Sequence, residues 1–129
     1  STSGFPYIWN ELPILVTYES NWRKAKEILT DIIEEQYQEY QAHLEKTMNL
    51  AQKEYMITYT NLTPKVYTSL EDSGVLLTIR YLCYHRHRRG SHEKLVEKIL
   101  DRLNNESEIE LAYPTMTITK TPVSAGINN

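Results

Sequence analysis

The chain has 129 residues, of which 24% are charged and 40% are hydrophobic, and its net charge is −3 at pH 7. This composition predicts one folded domain and excludes general disorder, and it gives no overall attraction to nucleic acid or to an anionic membrane. The single cysteine, compatible with a reducing setting, excludes an internal disulfide framework and a cysteine-based zinc cluster. No apolar run approaches the ~18 residues that span a bilayer, so the sequence predicts no membrane-crossing segment in this chain.

The first structured part of the chain is predicted to be extended. Phe5, Tyr7 and Trp9 alternate with other residues, a period-two pattern that presents aromatic side chains to one side. Their partner is not evident from the sequence. The apolar, β-branched run that follows predicts a buried first strand over residues 13–18.

A long helix is predicted next, over residues 21–55. Ser20 or Asn21 offers a short side-chain oxygen that can cap its first turn. Apolar and aromatic residues then recur at steps of three and four, as in an amphipathic helix. The 34 residues from Trp22 to Tyr55 would span about 50 Å, so the pattern allows one projecting helix or two helices in sequence.

Two strands and a second helix follow. Residues 65–70 and 75–85 read as strands joined by a turn, which predicts a hairpin. In the second of these strands, alternate residues are predicted to face the core: Val75, Leu77, Ile79, Tyr81 and Cys83.

The last predicted elements are a helix over residues 91–104 and a strand over 109–118. The complete order is then β-α-β-β-α-β. This order folds most readily as a four-stranded antiparallel sheet with both helices on one face, which is the ferredoxin-like arrangement of the α+β class. That fold hosts many functions, so topology alone does not identify one.

The densest cationic run of the chain is His85, Arg86, His87, Arg88 and Arg89. It fits a solvated loop between strand and helix, or a site that neutralises phosphates. The aromatic and glycine signature of RNA-binding ferredoxin-like domains is missing from the preceding strand, so nucleic acid is not the expected partner. A metal site built from the nearby histidines is conceivable, but spacing compels no third ligand.

No residue pattern predicts catalysis. Cys83 lies in an apolar run, which favours an inert core cysteine over a reactive thiolate. The paired carboxylates in residues 34–35 and 71–72 lie among polar neighbours and fit solvated surfaces. The chain also lacks a phosphate-binding glycine loop, a nucleophile elbow and an HExxH motif. We therefore expect no enzyme and no cofactor.

Three stretches, in order, resemble the cytoplasmic C-terminal region of small-conductance mechanosensitive channels. They are FPYIWNELP at residues 5–13 leading into ILVTYESNWRKAKEIL, LTPKVYTSLEDSGVLLTIRYLCYHRHRRG at residues 62–90, and IELAYPTMTI at residues 109–118. The resemblance extends over nearly the whole chain. Two departures are a longer connection over residues 34–62 and the absence of the pore-lining helix.

The resemblance implies a ferredoxin-like domain in the wall of a vestibule on the cytoplasmic side of the membrane. In that family the subunits usually form a heptamer, and ions and small solutes reach the pore through side portals. The channel opens under membrane tension, as in hypo-osmotic shock. A single excised domain could only support assembly and solute access, because the tension-bearing elements lie elsewhere. The alternative is a free-standing ferredoxin-like module that binds nucleic acid through residues 85–89.

The resemblance also implies how the chain is divided. Residues 1–12 would hold an expression-tag remnant and the exit strand from an upstream β domain, residues 13–119 the ferredoxin-like domain, and residues 120–129 a flexible tail. Residues at the two boundaries are then candidates for contacts with missing domains or other subunits: Phe5, Tyr7, Trp9, Tyr113 and Pro114.

Overall fold

A computed structural model describes residues 7–55 and 62–113 as an α+β fold. The chain forms, in order, β1 (Tyr7–Val16), α1 (Trp22–Tyr55), β2 (Lys65–Glu71), β3 (Gly74–Tyr84), a 3-10 helix (His85–His87) and α2 (Arg88–Asn104). The three strands make one antiparallel sheet in the order β1-β3-β2. The predicted α+β class, the hairpin and the long first helix are confirmed.

Strand β1 is longer than predicted and begins earlier. The sequence predicts residues 13–18, whereas β1 pairs with β3 from Tyr7, opposite Tyr84, to Val16, opposite Val75. The aromatic segment therefore finds its partner in the last residues of β3, which a pattern confined to neighbouring residues does not reveal. The strand ends at a turn in which the Ser20 N–H donates to the Thr17 carbonyl at 3.0 Å.

The main core lies between one face of the sheet and both helices. All five β3 residues predicted to face inward are buried. Helix side chains pack into the same cluster: Ala25, Ile28, Leu29, Ile32 and Ile33 from α1, and Leu95, Ile99 and Leu103 from α2. Because these apolar residues recur at helical spacing, each helix buries one stripe against the sheet.

Helix α1 is one continuous element. Asn21 caps it, since its Oδ1 accepts from the Lys24 N–H at 3.1 Å. Its middle contributes to a second apolar cluster, whose buried members are Tyr7, Leu44 and Leu82. The second half of the helix therefore packs against the fold at least as far as Leu44.

Where β2 ends, a side chain of α1 takes its place as a hydrogen-bond partner of β3. Strand β2 pairs with β3 only as far as Arg80, opposite Lys65. Beyond that point the Tyr40 hydroxyl donates to the Leu82 carbonyl at 2.8 Å. A backbone acceptor that would otherwise face an open sheet edge is thus satisfied by a helix side chain.

Helix α2 begins at Arg88 rather than at residue 91, because the chain enters it directly from the 3-10 helix. After α2 the chain reaches the free edge of β1. There the Thr17 N–H donates to the Glu110 carbonyl and the Ala112 N–H to the Leu15 carbonyl, each at 2.9 Å. Leu111 forms an isolated antiparallel bridge with Val16. Half of the strand predicted over 109–118, residues 114–118, lies outside the described residues.

Candidate functional site

All five residues of the cationic run are exposed, and they lie at the junction between β3 and α2. The predicted loop is instead a 3-10 helix, His85–His87, followed by the first two residues of α2, Arg88 and Arg89. The first turn of α2 contains no acidic residue. Within residues 7–55 and 62–113 the ion pairs are made by Lys24 and Arg80, so no described carboxylate neutralises these arginines.

Helix α1 adds a third imidazole to this junction. The Tyr84 ring centroid lies 5.1 Å from that of His87, 6.1 Å from that of His85 and 6.3 Å from that of His43. His43 is held from the other side, because its Nδ1 is hydrogen-bonded to the Tyr7 hydroxyl at 2.6 Å. We call the exposed side chains of this junction, together with His43, the basic patch: His43, His85, Arg86, His87 and Arg89.

Tyr7 anchors the floor of the basic patch. Its ring packs edge-on against Tyr84, with centroids 5.5 Å apart, and stacks on Tyr40 at 6.1 Å. The pKa of Tyr7 is raised, mainly by burial and to a smaller extent by the neighbouring Tyr84 and Cys83. The Tyr7 hydroxyl therefore stays protonated at neutral pH and places no negative charge beside His43.

A polar network lies on the opposite face of the sheet, near the same ends of β1 and β3. Arg88 Nη2 donates to Asn10 Oδ1 at 3.3 Å, and Asn10 Nδ2 donates to the Tyr81 hydroxyl at 2.8 Å. That hydroxyl lies 3.3 Å from His92 Nδ1. Asn10 and Tyr81 are buried, so the network satisfies polar groups that burial would otherwise leave without partners. It also fixes Arg88 against the sheet, unlike Arg86 and Arg89.

The boundary candidates have different surroundings. Tyr7 is only 6% exposed and so does not lie at an open edge of the described fold. Trp9 is half-buried, with the Arg80 guanidinium 4.2 Å above its ring. Tyr113 is 75% exposed. Phe5 and Pro114 lie outside the described residues.

The side chains weighed for catalysis lie in unreactive settings. Cys83 is buried, and burial raises the pKa of its thiol, which disfavours the nucleophilic thiolate. Glu34 and Glu35 are exposed on α1, and Glu71 and Asp72 are exposed at the hairpin. These placements match a core cysteine and solvated carboxylates.

The described residues hold no group of three or more His, Cys, Asp or Glu side chains arranged to bind a metal ion. In the same part of the chain, no helix is long and apolar enough to cross a membrane. Compared with protein-family models and with curated protein sequences, the chain matches none.

Two contributors to this region are not predicted from the sequence. His43 lies in a polar stretch of α1 and joins the patch only because the long helix runs past the end of β3. Asn10 is the one polar residue among the inward positions of β1, and its buried partner Tyr81 is on the same face of the sheet. A polar residue at an inward strand position is the available signal for the network.

Proposed function

We propose that this chain is a non-enzymatic vestibule domain of a small-conductance mechanosensitive channel. In this role it lies on the cytoplasmic side of the membrane, supports subunit assembly and shapes the path by which ions and small solutes reach the pore. The membrane-embedded part is supplied by a separate, upstream region of the full-length channel. The proposal rests on the resemblance of the three stretches at residues 5–13, 62–90 and 109–118.

The structural observation that best supports this proposal is the path of the chain after α2. The resemblance implies a ferredoxin-like fold, which requires a fourth strand on the open side of β1. Residues 110–112 hydrogen-bond there, antiparallel to residues 15–17. A fourth strand in this position would neighbour β1, with β3 and β2 following across the sheet, which is the ferredoxin-like order. We therefore propose a ferredoxin-like fold, with the fourth strand that the sequence predicts over residues 109–118.

Exposed apolar side chains support a role in assembly. Leu111 and Tyr113 lie at the open side of β1, and Tyr18 lies just past the end of that strand. Tyr67 is half exposed on the sheet face opposite the main core. Apolar side chains of this size favour burial against another protein surface. We propose other copies of the same subunit as that surface, in a heptamer as the resemblance implies.

The experiment is a domain exchange. This chain replaces the corresponding domain of a small-conductance mechanosensitive channel, and the chimera is expressed in bacteria that lack such channels. Survival after hypo-osmotic shock should be restored close to the level of the intact channel. A matched chimera carrying Leu77→Asp, which places a charge in the core, should fail.

The controls separate function from expression. Membrane abundance and oligomeric size of each chimera are measured by detergent extraction and native electrophoresis. An abundant chimera that assembles correctly yet gives no survival and no tension-gated current would contradict the proposal. So would equal rescue by the Leu77→Asp chimera, since a folded domain would then be unnecessary.

A further inference from the structure

We propose that the basic patch binds compact, multiply charged phosphate anions, of the kind presented by a polyphosphate or the triphosphate group of a nucleotide. This inference does not depend on the proposed channel function. It rests on the arrangement of exposed cations at the junction of β3, the 3-10 helix and α2.

The first argument is the concentration of charge without compensation. Three of the 14 lysines and arginines in the chain fall within residues 86–89. The side chains of Arg86 and Arg89 are exposed and make no ion pair or hydrogen bond within the described residues. Three like charges within four residues of sequence repel one another, so a bound anion would relieve their repulsion. Arginine is also suited to phosphate, because its planar guanidinium can donate two parallel hydrogen bonds to phosphate oxygens.

The second argument is that the surface is built from more than one element. Tyr84, at the end of β3, brings His43 of α1 together with His85 and His87 of the 3-10 helix. The Tyr7 hydroxyl fixes the His43 ring. Residues of α1, β3 and the 3-10 helix thus pack around the Tyr7 and Tyr84 rings, and this packing positions the imidazoles before any ligand binds.

The third argument concerns the size of the anion. The chain carries 17 acidic residues against 14 basic ones, so the patch is a local exception on an acidic protein. Exposed carboxylates continue along both adjoining helices, at Glu93 and Glu97 in α2 and at Glu39 and Glu45 in α1. A long polyanion or an extended anionic bilayer would have to approach these carboxylates as well. A compact anion can contact the cations alone.

The test is isothermal titration of the chain with sodium tripolyphosphate at low and at physiological salt. We expect saturable binding that weakens as salt rises. The double variant Arg86→Gln/Arg89→Gln should bind about tenfold more weakly or worse, because two charge-assisted contacts are lost. The matched control is Lys94→Gln/Lys98→Gln, which removes the same charge from exposed positions further along α2. The control should change the affinity less than about twofold.

Thermal unfolding of both variants checks that each remains folded, which their exposure favours. Two further arms use a single-stranded RNA of 20 nucleotides and vesicles containing phosphatidylglycerol. The absence of tripolyphosphate binding, or an equal loss in both double variants, would overturn the proposal. Tighter arginine-dependent binding to RNA or to vesicles would also overturn it and would assign the patch to that polyanion instead.

Discussion

Replacing Gly74 with alanine should lower the free energy of unfolding, whereas the same change at Gly90 should raise it. A methyl group on Gly74 would lie 2.0 Å from the Val16 carbonyl oxygen, a backbone atom that cannot turn aside. Gly74 is the first residue of β3 and closes the hairpin opposite Glu71, so relief requires the edge of β1 or the hairpin to move. Gly90 lies in the first turn of α2 with nothing within 4 Å of the added methyl group.

The expected magnitudes have opposite signs. Overpacking against backbone costs about 1–3 kcal/mol, so Gly74→Ala should lower the free energy of unfolding by at least this much. Gly90→Ala should raise it by about 0.5–1 kcal/mol, because alanine reduces the entropy of the unfolded chain and favours the helix.

Urea denaturation followed by circular dichroism measures both changes, and the slope of unfolding free energy on urea concentration shows whether the unfolding remains two-state. Equal effects of the two substitutions, or a stable Gly74→Ala protein, would refute the close approach of β3 to the end of β1.

Three other substitutions can be measured in the same way. Leu77→Ala should lower the free energy of unfolding by about 2–5 kcal/mol, because it leaves a cavity at a buried position between sheet and helices. Lys65→Ala, at an exposed position, should change it by no more than about 0.5 kcal/mol. The reverse ranking would mean that the sheet faces are misassigned. Asn21→Ala should cost about 1 kcal/mol through loss of the α1 cap, with Glu27→Ala as the exposed helical control; equal losses would argue against capping. Tyr40→Phe should cost about 0.5–1.5 kcal/mol at neutral pH, since the Leu82 carbonyl loses its donor, and a neutral outcome would place water there instead.

Tyr40 also predicts a pH dependence. Burial is the largest cause that raises its pKa above the ordinary value of 10.0. The protonated hydroxyl therefore stabilises the fold fully below pH 10, and this contribution is lost as pH rises from 10 towards the raised value. Between pH 8 and pH 11, the free energy of unfolding should fall more steeply for the parent protein than for Tyr40→Phe.

Local patterns in the sequence predict most of the secondary structure. The apolar alternation of β3 depends on neighbouring residues, and all five side chains that it predicted to face inward are buried. The helical spacing likewise predicted α1 and α2 as helices. The extent of β1 could not be predicted this way, because residues 7–12 are extended by pairing with residues 79–84, more than 65 positions away.

The candidate site was predicted only in part. The cationic run is plain in the sequence, but its conformation is not, because the 3-10 helix follows from the abrupt step between β3 and α2. His43 joins it through the length and direction of α1, which no local pattern defines. The polar network of Asn10, Tyr81 and His92 likewise depends on three elements meeting at one end of the sheet.

The most direct test of the proposed channel function is the sequence of the natural reading frame from which this chain comes. We predict at least three apolar spans of about 20 residues upstream of residue 5, followed by a small β domain that leads into the aromatic segment. A natural reading frame that starts close to residue 5, or one whose upstream part has no such spans, would contradict the proposal.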